Sequence, residues 1–284
     1  MAPRHVESAA NPLVKELAAL KDRRARERSG TYLVEGRREA ARALDARVDA
    51  AQVLVAPSLL PGGSSVEAWQ ARAEAVGAAF CTASASAFKR VSMRENPDGV
   101  LLVVRTRRTP PAQVRLPSGA LVLVLAGLEK PGNVGALLRS ADAFGADAVF
   151  MCPDQDGPGG AAGSATGADL ENPNLIRAAM GSSFTLSVGV GTREEVLSAV
   201  RAAGLHLVAT SPAATTTVWD CDLTAGVAIL LGREHDGLSD WWLEHADEQV
   251  QVPMRSTAAD SLNVSVTGAL LLFEASRQRR GSAG

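Results

Sequence analysis

Three short constellations in this 284-residue sequence put hydrogen-bonding side chains where a backbone could also hold a ligand. The first is Glu129-Lys130-Pro131-Gly132-Asn133-Val134-Gly135, followed by Arg139, after an apolar run and at the start of a helical pattern. Free amides at such a turn can hold an anion. Asn133 and Arg139 stand about 1.7 turns apart on a helix, so they leave it in related but different directions. The same residues also suit a plain N-cap and a surface charge. The second is Leu231-Gly232-Arg233-Glu234-His235-Asp236-Gly237, where a buried strand ends in glycine and a carboxylate follows. Strand C-terminal ends are where open α/β sheets bind ligands, and a glycine there lets a ligand approach the backbone. The lone His235 fits a structural role better than a catalytic one. The third runs from Val252-Pro253-Met254 through small residues to Ser261-Leu262-Asn263-Val264-Ser265. Ser261 and Asn263 fall at a helix start, where they can cap it or face a ligand.

Other chemistries are excluded by what is missing. There is no G-x-G-x-x-G dinucleotide fingerprint and no G-K-[ST] of a P-loop. The three cysteines, Cys81, Cys152 and Cys221, are odd in number and lack metal-ligand spacing, so neither a disulfide framework nor a metal site is expected. No apolar stretch reaches the ~18–20 residues of a membrane span. The first residues, MAPRHVESAANPLVKEL, carry no apolar secretory core. A reducing cytoplasm is the expected location.

The elements that must position these residues fall into two parts. Residues 105–119 hold three prolines and a glycine, a linker composition. It separates a domain at 1–107 from one at 119–284, with 108–118 between them. In the first, helical spacing over Ala10–Arg28, Glu35–Leu44 and Ser65–Val76 alternates with strands at Tyr32–Val34, Gln52–Val55 and Val100–Val104, a small α/β unit. In the second, buried strands are predicted at Leu121–Leu125, Ala148–Met151, Phe184–Val188, Leu205–Ala209, Val227–Leu231 and Val250–Val252. Helical patterns at Val134–Phe144, Pro173–Met180, Thr192–Ala203 and Val264–Arg279 complete it. The alternation predicts a mostly parallel sheet with helices on both faces. Gly157–Gly167 interrupts it as a low-complexity insert.

The formal charge of −2 conceals an asymmetry: 19 Lys and Arg against 12 Asp and Glu over residues 1–118, and 10 against 19 over 119–284. A basic half joined to an acidic half suits a chain whose first domain grips a polyanion. The basic residues cluster at Lys21–Arg28, at Arg37-Arg38 with Arg42, and at Arg105, Arg107 and Arg108. Alternation of Arg and Glu at 24–28 equally suits a solvated helix face. Aromatics are only 4%, which disfavours base-stacking platforms.

Taken in order, N-x-G-x-x-x-R, L-G-x-E and V-P-M followed by S-L-N-V-S resemble the three motifs of the SpoU/TrmH class of SPOUT RNA 2′-O-ribose methyltransferases. Pro173–Gly181 is similar to that family's linker segment, and the resemblance covers residues 121–280 nearly end to end. The N-terminal AANPLVKELAAL…RSGTYLVEGRREAARAL is similar to the L30e-like substrate-binding domain of many members.

The resemblance implies a C-terminal SPOUT domain with a trefoil knot, S-adenosylmethionine as cofactor, and a homodimer whose active site draws on both subunits. No membrane or metal partner is implied. Carried over by motif, Asn133, Arg139, Glu234, Ser261 and Asn263 form the catalytic set. Gly232, Val252 and Leu262 hold the cofactor, joined by Thr210 and Ser211, with Leu231 and Met254 along the adenine. Arg139 activates the ribose hydroxyl by analogy; a guanidinium is a poor base, so phosphate clamping and alkoxide stabilisation are favoured over proton removal. Arg23, Arg24, Arg26, Arg37 and Arg38 are the expected RNA contacts, through phosphates. The two-domain form leans toward ribosomal RNA, with transfer RNA as the alternative substrate and a non-catalytic RNA-binding or ribosome-assembly protein as the rival reading.

Overall fold

The computed structural model describes residues 4–154, 169–255 and 261–281. The insert at Gly157–Gly167 and Asp260 lie outside the described residues.

The chain forms two compact units. The first begins with β1 (Arg4–Val6), α1 (Pro12–Ala19), α2 (Arg23–Ser29), β2 (Thr31–Glu35), α3 (Arg37–Asp45) and β3 (Ala50–Val55). It continues through α4 (Val66–Ala75), β4 (Ala79–Ala83), α5 (Ala85–Val91) and β5 (Val100–Arg105). Its sheet runs β1-β4-β3-β5-β2, parallel across the first three strands and antiparallel across the last. The single helix expected over Ala10–Arg28 is two helices. Leu20 ends α1, and Asp22 opens α2 by accepting from the Ala25 amide. The apolar spacing continues across this break because Leu17 and Leu20 both enter the same core as Phe88 and Leu101.

The second unit opens with β6 (Leu121–Ala126), α6 (Pro131–Ala143) and β7 (Ala148–Cys152). The next helix, α7 (Pro173–Ala179), belongs with the first unit, as does all of Leu170–Thr185. The domain boundary read from the sequence put this stretch in the second domain. What takes it elsewhere is packing: Ile176 and Phe184 join the core built on Val34, Val53 and Leu102, and Arg42 Nη1 donates to the Met180 carbonyl at 2.8 Å. Phe184 therefore ends a short 3-10 turn rather than starting a strand.

The chain then adds β8 (Ser187–Val190), α8 (Arg193–Ala202), β9 (His206–Thr210), β10 (Thr216–Thr217) and β11 (Val227–Leu231). It closes with α9 (Asp240–His245), β12 (Glu248–Gln251) and α10 (Val264–Gly281). The sheet order is β10-β12-β9-β11-β6-β7-β8, with every pairing parallel. Central strands β6, β7 and β11 are buried along their whole length, which is why they read as unbroken apolar runs. Two helices cover one face, α8 through Val196 and Val200 and α9 through Trp242. On α10, Gly268 lies so close to Leu137 of α6 that a Cβ would stand 2.3 Å from its Cδ2.

Candidate active site

Parallel pairing brings the C-terminal ends of β12, β9, β11 and β6 side by side: Val250 pairs Thr210, Leu230 pairs Ala209 and Leu231 pairs Leu125. All three constellations leave the sheet at this edge. Pro131 at the first position of α6 fixes the helix start, which makes Asn133 a first-turn residue rather than the cap. Its Nδ2 donates to Oε1 of Glu234, and its Oδ1 accepts from Asn263 Nδ2 at 3.3 Å. Asn263 precedes α10 and caps it, with Oδ1 accepting from the Ser265 amide at 2.8 Å and the Ser265 hydroxyl at 2.6 Å. Three of the five predicted catalytic residues thus form one chain of hydrogen bonds. Ser261 is exposed at the entrance to α10. Arg139 is also exposed and joins no hydrogen bond of this chain.

Two residues outside the expected catalytic set complete the arrangement. Lys130 Nζ donates to Oε2 of Glu234. This bond, with the Asn133 amide, holds the Glu234 carboxyl below the usual carboxylate range, against the opposing effect of desolvation. Asp154, 2% exposed just past β7, accepts from the Ser239 amide at 3.2 Å and its hydroxyl at 2.9 Å. It ties down the far end of the loop that carries Glu234. Lys130 lies within the first motif and was legible as its neighbour. Asp154 has no local pattern around it.

The predicted cofactor residues also gather at this edge, with two changes of role. Gly232 is required by the loop itself, since a Cβ would sit 2.5 Å from the backbone of Gly237. The Leu231 side chain is fully buried and packs near Gly268 of α10, so it presents no side-chain surface to an adenine. Thr210 Oγ1 donates to the Leu230 carbonyl at 3.1 Å, and the Ser211 amide to Val250 at 3.0 Å. Val252 is half-buried beyond β12, while Met254 and Leu262 are 42% and 37% exposed. Strand-end polar groups flanked by exposed apolar side chains fit an adenosyl group, which needs apolar contact and a few fixed polar partners.

Residues 120–273 match the model of the SpoU rRNA Methylase family, and residues 11–102 match the MRM3-like substrate binding domain. This chain belongs to the SpoU rRNA methylase family. It is 30% identical to an uncharacterized tRNA/rRNA methyltransferase of Synechocystis, over 96% of this chain and 94% of the relative. A crystal structure of an RNA 2′-O ribose methyltransferase is 40% identical, with a TM-score of 0.77 over 97% of this chain and 99% of that one. The AdoMet-bound rRNA methyltransferase from Sinorhizobium meliloti is 26% identical, with a TM-score of 0.83 over 96% and 97%.

In this SpoU family chain the arginines expected to contact RNA have divergent settings. Arg24 and Arg38 are exposed. Arg23 Nε pairs with Glu27 at 2.8 Å. Arg37 uses its amide and side chain on Asp98, at 2.9 Å and 3.9 Å. Arg26 is a correction: it is 4% exposed, and Nη1 donates to the carbonyls of Leu20 and Lys21, both at 3.0 Å. Its charge closes the end of α1 instead of facing a polyanion. The thiols are buried, which pushes Cys81 up and Cys221 up to about 12. Among the described residues no helix is long and apolar enough to cross a membrane. Nor does any group of three His, Cys, Asp or Glu there suit a metal ion.

Proposed function

We propose that this protein is an S-adenosylmethionine-dependent 2′-O-ribose methyltransferase acting on ribosomal RNA. The observation that carries the reading is the hydrogen-bonded chain Asn263–Asn133–Glu234, drawn from three distant motifs to one edge of a SpoU-type sheet. S-adenosylmethionine would supply a methyl group already activated on a sulfonium. The strand-end segments at Thr210–Ser211, Gly232 and Val252, with Met254 and Leu262, would hold it.

The protein would then align a ribose hydroxyl so that its oxygen takes the methyl group as the sulfonium–carbon bond breaks, leaving the neutral thioether S-adenosylhomocysteine, with the hydroxyl proton passing to water. Asn133, Glu234 and Asn263 fix the loops around that hydroxyl, and Ser261 stands at the mouth. A guanidinium is a poor base, so the task of Arg139 is to clamp the adjacent phosphate and stabilise negative charge developing on the oxygen.

A homodimer belongs to this reading. Val266, Leu270 and Phe273 form an exposed apolar stripe on α10, at 46%, 41% and 55% exposure. Their i, i+4, i+7 spacing marks one helix face. A second copy covering it would complete a site that, within one chain, leaves Arg139 outside the hydrogen-bonded chain. The trefoil knot and a cytoplasmic location go with the same reading. The test is transfer of labelled methyl groups to ribosomal RNA, followed by mapping of 2′-O-methylated nucleotides in cells with and without the gene. One gene-dependent position in ribosomal RNA is expected; a position found in transfer RNA alone would redirect the substrate.

A further inference from the structure

The first unit carries a basic concavity that no motif announces. Lys15 of α1, Lys21 just beyond it and Arg90 of α5 line it with Ala18 and Ala19, around about 290 Å³. The cations meet only in the fold, since 69 residues separate Lys21 from Arg90. Lys21 Nζ is fixed by the backbone carbonyls of Arg90 and Ser92, at 3.0 Å and 2.7 Å. It thereby satisfies the end of α5, as Arg26 satisfies the end of α1.

Lys15 and Arg90 have no comparable duty. Both are exposed, and among the described residues neither pairs with a carboxylate. Burial pushes the Lys21 ammonium below its ordinary pKa, and the like charge of Arg90 adds to this against the pull of Glu35. Glu35 offsets part of the charge on Lys21, whereas Lys15 and Arg90 stand at the mouth without a carboxylate, and an anion there relieves their mutual repulsion. The wall of Ala18 and Ala19 gives a nucleobase no aromatic surface to stack on. A guanidinium fork beside two ammonium groups matches the oxygens of a phosphate.

We propose that this concavity seats a backbone phosphate of the RNA substrate. The identity of the polyanion rests on the function proposed above. The contact positions the RNA without reading its sequence.

The test uses the full chain and the double variant Lys15→Ala/Arg90→Ala, leaving Lys21 to cap α5. Binding of bulk ribosomal RNA is measured between 50 and 200 mM salt, alongside methyl transfer from labelled cofactor. Losing two phosphate contacts should make the plot of log K against log salt shallower by about 1.4–1.8, at about 0.7–0.9 per contact. The KM for RNA should rise about tenfold or more with kcat retained, and Lys15→Arg/Arg90→Lys should keep the wild-type slope. A double alanine variant with unchanged slope and affinity overturns the proposal. So does one that loses only affinity for inorganic phosphate, which would assign the site to a free anion. Wild-type protein that binds RNA with the steeper slope yet transfers no methyl group sinks the proposed activity and leaves the concavity standing. Failure of the wild type to bind RNA overturns both.

Discussion

The Asn133 side chain donates to the carboxylate of Glu234, 101 residues further along the chain. With Lys130 on the other carboxylate oxygen, this contact welds the start of α6 to the loop after β11. It ties two motifs that sequence order alone leaves far apart.

The charge state of Glu234 follows from that contact. The Lys130 hydrogen bond, with that of Asn133, holds its folded pKa below the ordinary glutamate value of the unfolded chain. A depressed carboxyl contributes stability above the unfolded pKa and loses it as pH falls through the folded one. A carboxylate NMR titration should therefore place the Glu234 midpoint below that of an ordinary glutamate, and Lys130→Ala should raise it. A midpoint at or above that value, or one indifferent to Lys130, contradicts the assigned pair.

Arg26 separates a structural charge from an RNA contact. Arg26→Ala removes the donor to two helix-end carbonyls and should destabilise the fold by about 1–3 kcal/mol per carbonyl left unsatisfied. Denaturant unfolding measures this. Wild-type stability with weakened RNA binding would return Arg26 to the binding surface.

Gly232 distinguishes loop geometry from ligand access. Gly232→Val drives a side chain into the backbone of Gly237, so the loop must open even without cofactor. Thermal melting should fall along with cofactor affinity measured by calorimetry. An unchanged melting temperature with lost cofactor binding would restore the simpler idea of a blocked pocket.

Gly268→Ala tests the seam between α6 and α10. The new methyl group would press on Leu137 and Leu231, both fully buried. Overpacking of this kind costs about 1–3 kcal/mol, read as a lower unfolding midpoint. Wild-type stability would mean the seam is looser than the contacts indicate.

Much of this architecture was legible because its strands are simple. β6 and β11 are buried on both faces, so hydrophobicity alone marks them. β1, β4 and α5 carry no such mark. β1 is three residues long with two exposed, and β4 begins exposed, so neither shows a clear apolar run. The placement of Leu170–Thr185 depends on tertiary contacts of Ile176 and Phe184, which no local pattern reports. At the site, Asn133, Glu234 and Asn263 were legible from motif order. Asp154 was not, because its role exists only through Ser239, 85 residues away. The Lys21–Arg28 run was misleading for the same reason: the fold turns Arg26 inward and brings up Lys15 and Arg90 from other helices.

The central claim is methyl transfer to a ribose hydroxyl with Arg139 at the reacting oxygen. The most direct measurement is incorporation of label from S-adenosylmethionine into ribosomal RNA taken from cells lacking the gene, comparing wild type with Arg139→Ala. The account predicts one 2′-O-methylated nucleotide with wild type. It also predicts a loss of about 100-fold or more in rate for the variant, the scale of one lost transition-state donor, with cofactor affinity kept. Folded wild-type protein that binds the cofactor and the RNA yet labels no 2′-hydroxyl would contradict it.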